Sequence, residues 1–380
     1  MAWFTNSDGF SDVRNVRLPG YWRPWPWQPF ISDEQFRSSH IQFCGASGTG
    51  KTALAARILY GQILSERGCY VLDPKGDSWL PSVLFAACER AGVPFSYIDL
   101  EAGVPQFNLL RGITSLQEEE LYIAGMDLEN TGRDSDFYHT AARQRIHEIA
   151  ERRIADKTLI HAVAQARAGR KKGDEAAGFI NALDELSRVQ AIATREGVDL
   201  NEPIERGGCI YVRGSLFHES LLRIMRMVLI RVIQLVRGAA RIARHITICV
   251  DEIRHQLHKP FFAALGTLRD RGANLLVIHQ SHGDFPSVEV KATVCENCAI
   301  KFLFRSQDPH LQKWGAEMSG TIPIENGRMK RSYIDENMFA RLPDGDAVCI
   351  GVGLAKRIKV EPVRVVKREF KPVAAAEVEV

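Results

Sequence analysis

Short apolar runs of four to six residues recur along the chain, each bounded by turn-forming or charged positions and separated from the next by stretches with helical spacing. They are Ile41–Cys44, Cys69–Asp73, Phe95–Asp99, Gly208–Arg213, Ile246–Val250, Asn274–His279, Ala299–Phe304, Ala347–Ile350 and, less apolar, Lys356–Val360. Runs of this length, rich in β-branched and aromatic residues, predict buried strands. Helices are predicted over 52 to 66, with Gly68 as C-cap, around 80 to 91, from Glu219 to Arg241 and from Pro260 to Gly272. The long helix from Glu219 is interrupted by Arg223, Arg226, Arg231 and Arg237, which make it a core helix with a basic edge. Alternation of strand and helix predicts an α/β fold, with a mostly parallel, right-handed sheet covered on both faces.

Between about 112 and 205 the strand pattern stops. Ser115-Leu-Gln-Glu118 reads as a capping box, and helical spacing continues over Asp136–Ala155, Thr158–Ala168 and Asp174–Arg195. The expectation is an inserted all-α domain at 112–205, with the nucleotide-binding domain split between 39–111 and 206–370. A Trp/Pro-rich arm at 1–38 precedes it, and a loose tail at 371–380 follows. The arm carries four of the six tryptophans; it packs on its own domain or docks to a neighbouring subunit or membrane partner.

The first apolar run feeds Gly45-Ala46-Ser47-Gly48-Thr49-Gly50-Lys51-Thr52, and a helical stretch follows. This is a P-loop (Walker A) in the strand-to-helix context the motif needs. Its glycines admit the dihedrals that wrap backbone N–H groups around phosphates, and the helix adds its positive end. Lys51 is expected to reach the β- and γ-phosphates of ATP, and Thr52 to ligate Mg²⁺. Downstream, Val250-Asp251-Glu252 ends a buried strand in two carboxylates. Asp251 is expected to hold the Mg²⁺ shell, and Glu252 to polarise the attacking water. Gln280, at the tip of another strand, either senses the γ-phosphate or caps the strand end. Asp73-Pro-Lys-Gly-Asp77 is a charged turn at a strand's C-terminal end, where open parallel sheets bind ligands.

Charge and cysteine content narrow the picture. The net charge is only +3, so any nucleic-acid surface is local. Residues 143 to 172 hold nine Lys/Arg against three acids. Such a block is either a solvated face pairing with nearby acids or a phosphate-binding surface; on the second reading Arg152, Arg153, Lys171 and Lys172 contact DNA without sequence preference. Most of the eight cysteines sit in strand-like runs as small buried hydrophobes, and Cys295-Glu-Asn-Cys298 is either core or a metal pair without a second half. No stretch is long and apolar enough to cross a membrane, and the first residues do not resemble a signal peptide, so a cytoplasmic location is expected.

Taken together, Gly45–Thr52, Asp73–Asp77, Phe107-Asn108-Leu-Leu110, Asp136–Arg143, Val250–Glu252, Arg269–Gly272 and Gln280-Ser281 resemble the conjugative type IV secretion coupling proteins (TraG/TraD-like), in the FtsK/HerA group of P-loop ATPases. The resemblance spans roughly residues 40 to 320. It implies a RecA-like ATPase, a homo-hexameric ring, DNA-stimulated ATP hydrolysis, and an arginine finger at Arg269 or Arg271. The partners implied are DNA, the relaxosome and type IV secretion components. Members of that family usually begin with a transmembrane pair; here only the Trp/Pro-rich arm precedes the P-loop, so a soluble relative held at the inner membrane through a partner is expected. Two other functions fit the same residues: an ATPase driving protein secretion or assembly without DNA, and a nucleotide-gated adaptor that recruits relaxosome or effector proteins.

Overall fold

The computed structural model describes residues 31–129, 132, 136–170, 174–240, 242–324 and 329–375. The tryptophans of the N-terminal arm lie outside the described residues. Each predicted strand forms: β1 Ile41–Cys44, β2 Gly68–Asp73, β3 Phe95–Asp99, β4 Gly208–Arg213, β5 Ile246–Val250, β6 Ala273–His279 and β7 Ile300–Phe304. Two more, β10 Asp346–Ile350 and β11 Lys356–Lys359, complete a nine-stranded sheet of order β11-β10-β7-β1-β6-β5-β2-β4-β3. Neighbours from β7 to β3 pair in parallel, whereas β10 and β11 pair antiparallel to their neighbours. The fold is thus a RecA-like α/β fold with a mostly parallel mixed sheet. A separate antiparallel pair, β8 Thr321–Ile324 and β9 Met329–Ser332, lies outside the predicted strands.

Alternation within the strands divides the core. In β2, Tyr70 and Leu72 face one hydrophobic cluster while Cys69 and Val71 face the other. The second cluster, which takes in Phe36 of the short helix α1 Asp33–Arg37, is closed by α2 Lys51–Leu64 and α3 Leu80–Ala91. The first is closed by α9 Glu219–Gly238 and α10 Lys259–Thr267, together with helices that lie between β3 and β4. Those helices are α4 Ser115–Gly125, α5 Asp136–Glu151, α6 Leu159–Ala168, α7 Ala177–Ser187 and α8 Glu202–Arg206. Their apolar faces, with Leu121, Ile146, Ala162 and Leu183, are continuous with the sheet's own core.

Two predicted caps shift. Thr114, not Ser115, caps α4, paired with Gln117 in the capping box. Helix α2 ends at Leu64 with Ser65 as its C-cap, and Glu66 takes the left-handed conformation expected of a glycine after a helix. Gly68 instead opens β2, where a Cβ would lie 2.3 Å from the Pro203 carbonyl oxygen. The arginines of α9 are engaged within the chain: Arg223 with Glu219, Arg226 with Asp127, Arg237 with Glu120, and buried Arg231 with the Arg111 carbonyl at 2.9 Å. Among the described residues no helix is long and apolar enough to span a membrane.

Beyond β11 the chain runs extended over α2 and α3. Arg57 donates to the Glu361 carbonyl at 3.0 Å, and the Arg368 N–H to Ser82 Oγ at 3.0 Å. Phe370 packs against Phe85, Phe95 and Tyr97. The Ala375 N–H reaches the Pro105 carbonyl at 2.7 Å. The segment therefore leads from the β11 edge of the sheet to its β3 edge.

Candidate nucleotide site

The P-loop joins β1 to α2. Gly45, Gly48 and Gly50 have φ of 148°, 76° and 109°, conformations that side chains disfavour. At Gly45 a Cβ would also lie 2.7 Å from Phe304 Cβ, so the loop needs glycine there for space as well. The loop is seated by the Ala46 N–H on the Arg305 carbonyl at 2.8 Å and by the Gly345 N–H on the Thr49 carbonyl at 2.9 Å. Thr49 Oγ1 closes the turn on the Ala46 carbonyl at 2.7 Å, leaving Ser47 and Gly48 exposed at the crest. Lys51 begins α2 and folds back, with Nζ donating to the Gly45 and Ala46 carbonyls at 2.5 and 2.8 Å. Burial, then the neighbouring positive charge of Lys75, lowers its pKa.

Parallel pairing of β2, β5, β6 and β1 brings the predicted acidic strand end to the same edge of the sheet. The Asp251 N–H continues the ladder to the Leu72 carbonyl at 3.0 Å, and Asp251 Oδ1 accepts the Glu252 N–H at 2.9 Å. Glu252 takes φ 48° and ψ 57°, a conformation costly for a side-chain-bearing residue and one that accumulates at functional sites. Its carboxylate is buried. Gln280 Nε2 donates to Glu252 Oε1 at 2.6 Å, while Glu252 Oε2 has no hydrogen-bond partner. The Gln280 backbone is itself fixed, its N–H on Asp284 Oδ2 at 2.7 Å.

Lys75 is the site residue that sequence reasoning missed. Its Nζ lies 2.6 Å from Glu252 Oε1 and 3.2 Å from Asp251 Oδ2. Burial opposes ionisation of Glu252, but hydrogen bonds from Lys75 and Gln280 outweigh it and hold the pKa below the ordinary value. For Asp251 burial wins, raising the pKa against the pull of Lys75. Burial likewise disfavours the Lys75 charge, yet the two carboxylates prevail and raise its pKa. The signal was the 73–77 turn itself. A lysine in a charged strand-end turn, on the strand beside the acidic one, points along the same sheet edge.

Thr52, Asp73, Lys75, Asp77 and Asp251 line a cavity of about 150 Å³ floored by Val71, Cys249 and Ile278. Hydroxyl and carboxylate oxygens are the hard donors that Mg²⁺ takes, so this donor set fits a Mg²⁺-bound phosphate chain. Arg269 and Arg271 are not brought to this edge. Both are exposed in a 3-10 turn before β6, with the strand's length, about 20 Å, between them and Gln280. Arg152 and Arg153 are exposed just beyond α5, whereas Lys171 and Lys172 lie outside the described residues. Other members of the basic block are spent internally: Lys157 on Glu118, Arg145 on Asp174 and Arg167 on Asp184. Cys295 and Cys298 are buried free thiols, and burial pushes Cys298 up to about 12.

A mostly parallel sheet, a glycine loop between its first strand and a helix, and a strand ending in Asp251-Glu252 at the same edge define a P-loop fold of the RecA-like type. No family model matches the chain. It is 29% identical over 313 residues to Mobilization protein A of Escherichia coli, an alignment covering 78% of this chain and 56% of that protein. The chain thus spans little more than half the length of this curated relative. Among solved structures it is similar to the plasmid coupling protein TrwB in complex with a non-hydrolysable ATP analogue, with TM-score 0.67, 16% identity and 90% of each chain covered. TrwB in complex with ADP and Mg²⁺ gives 0.65, 16% and 88% of each chain. VirB4 of Thermoanaerobacter pseudethanolicus gives 0.59 and 14%, covering 85% of this chain and 89% of that one. The resemblance drawn from the sequence holds at the level of fold.

Proposed function

We propose that the chain is a Mg²⁺-dependent ATPase that moves DNA or nucleoprotein in a conjugative system, working as a homo-hexameric ring. The observation that carries this reading is the convergence of Lys51, Thr52, Asp251, Glu252 and Gln280 on one edge of the sheet. On this reading the Lys51 ammonium leaves the Gly45 and Ala46 carbonyls for β- and γ-phosphate oxygens, and the loop N–H groups take the rest of the phosphate chain. Bound through Thr52 Oγ1 and the shell of Asp251, Mg²⁺ supplies charge neutralisation. Glu252 accepts the proton-bearing side of the attacking water, and Gln280 orients its carboxylate. Arg269 or Arg271 serves the neighbouring subunit's site. DNA contacts come from Arg152, Arg153, Lys171 and Lys172. Relaxosome and secretion components, among them a membrane-protein anchor, are the protein partners of this reading.

A second reading, an ATPase driving assembly or protein secretion without DNA, gains support from the internal ion pairs of the basic block. ATP turnover with and without DNA separates the two: the motor reading expects stimulation, and an unchanged rate favours the second. Replacing Arg152 and Arg153 with Ala is expected to weaken DNA binding and reduce its salt slope by roughly 0.9 per lost duplex phosphate contact. An unaltered slope would remove these arginines from the interface.

A further inference from the structure

We infer that Lys75 reads the terminal phosphate of bound ATP, leaving Asp251 and Glu252 for that phosphate and so freeing Glu252 Oε1 for the attacking water. This rests on the ATPase reading above and assigns that site a further substrate-touching residue. The backbone around Lys75 is tied down by hydrogen bonds. Asp73 accepts the N–H groups of Lys75, Gly76 and Asp77 at 2.8, 3.2 and 2.8 Å and also the Tyr211 hydroxyl. Asp77 in turn caps the start of α3 through the Trp79 and Leu80 N–H groups. The Lys75 side chain, by contrast, is held among the described residues only by its two carboxylate partners. It is 35% exposed, against 13% for Asp251 and 1% for Glu252, and it lines the same cavity as Thr52.

The site's charges are self-satisfied. Lys51 is held by loop carbonyls, and Lys75 is shared between two carboxylates. Glu252 Oε1, the carboxylate oxygen that faces the cavity lysine, already receives two donors, Lys75 and Gln280, and takes a water at that position only once one of them leaves. Gln280 is pinned through its own backbone N–H, whereas Lys75 has a long, flexible tether and a compact charge suited to a phosphate oxygen. A triphosphate carries negative charge to the cavity and gives that ammonium a stronger partner than a half-shared carboxylate. A diphosphate lacks the group that would draw it away.

The test is equilibrium titration of the full chain with Mg²⁺-ADP and with a Mg²⁺-bound non-hydrolysable ATP analogue, comparing wild type with Lys75→Ala, Lys75→Gln and Lys75→Arg. The expected result is an affinity loss of about tenfold for the triphosphate and under about twofold for ADP in the Ala and Gln variants, with partial rescue by Arg. Because removing Lys75 leaves two carboxylates facing one another, the same comparison in a Glu252→Gln background keeps the readout if Lys75→Ala alone fails to fold. Equal losses for both nucleotides, or none, would overturn the inference while leaving the ATPase reading intact. A wild-type chain that binds neither nucleotide would overturn both.

Discussion

Lys51 and Glu252 are buried charges whose partners are protein groups that the proposed substrate would replace, so each substitution separates binding from turnover differently. Lys51→Ala removes the ammonium that meets the phosphates and is expected to raise the ATP dissociation constant as well as abolish hydrolysis. Glu252→Gln keeps shape and hydrogen bonding and is expected to bind ATP near normally while turnover falls by about 10²-fold or more. Nucleotide binding and steady-state rates on the two variants check this, and near-normal hydrolysis by either would displace it from the site. These two residues were legible in the sequence because each sits in a motif with a fixed offset from an apolar run. Lys75 was not, since its role depends on the pairing of β2 with β5, and a sequence lists no strand neighbours. Gln280 was legible as a position, yet its partner, Glu252 Oε1, emerged only from the register of β5 and β6.

At the scale of elements, the buried Lys157–Glu118 pair ties the turn before α6 to α4. Its ammonium lies 2.8 Å from Glu118 Oε1 and 2.7 Å from the Ile149 carbonyl. Burial raises the Glu118 pKa against the opposing effect of Lys157, so the carboxylate is costly without its partner. Lys157→Met is expected to cost about 3–5 kcal/mol in urea unfolding, and adding Glu118→Leu to recover most of it. A small loss in the single variant would mean that the pair is well hydrated. This lysine was counted with the basic block because charge runs are visible in a sequence and burial is not. Strand existence was the most legible property of the fold, since nearly every strand is an apolar run between turn residues. The least legible were ends and caps. Gly68 looks like a helix stop but is required by the closeness of Pro203, a contact set by the helices between β3 and β4. The β8–β9 pair escaped notice because both strands are short: Ile322 and Ile324 alternate only across Pro323, and Met329-Lys-Arg-Ser332 is mostly polar.

For the whole molecule, the exposed Arg269 and Arg271 stand a strand's length from the P-loop of their own chain, so any catalytic part they play is in trans. Inactive Arg269→Ala or Arg271→Ala subunits mixed with Lys51→Ala subunits are therefore expected to regain part of the ATPase activity at mixed interfaces, since a finger is worth on the order of 10³-fold in rate. No recovery for either arginine would remove both from that role. The extended segment after β11 couples the molecule in another way. It is fastened at Glu361 over α2, at Arg368 over α3, at Phe370 on Phe95 and Tyr97 of β3, and at Ala375 on Pro105 beyond that strand, so the two outermost strands of the sheet are joined by a belt as well as by the strands between them. An edge strand ordinarily frays on its own, with the lowest opening free energy in a sheet. Here β3 and β11, at opposite margins, should open together and show the same protection in hydrogen exchange. Phe370→Ala would unbuckle the belt, quickening exchange in β3 while leaving β1 and β6 as they were.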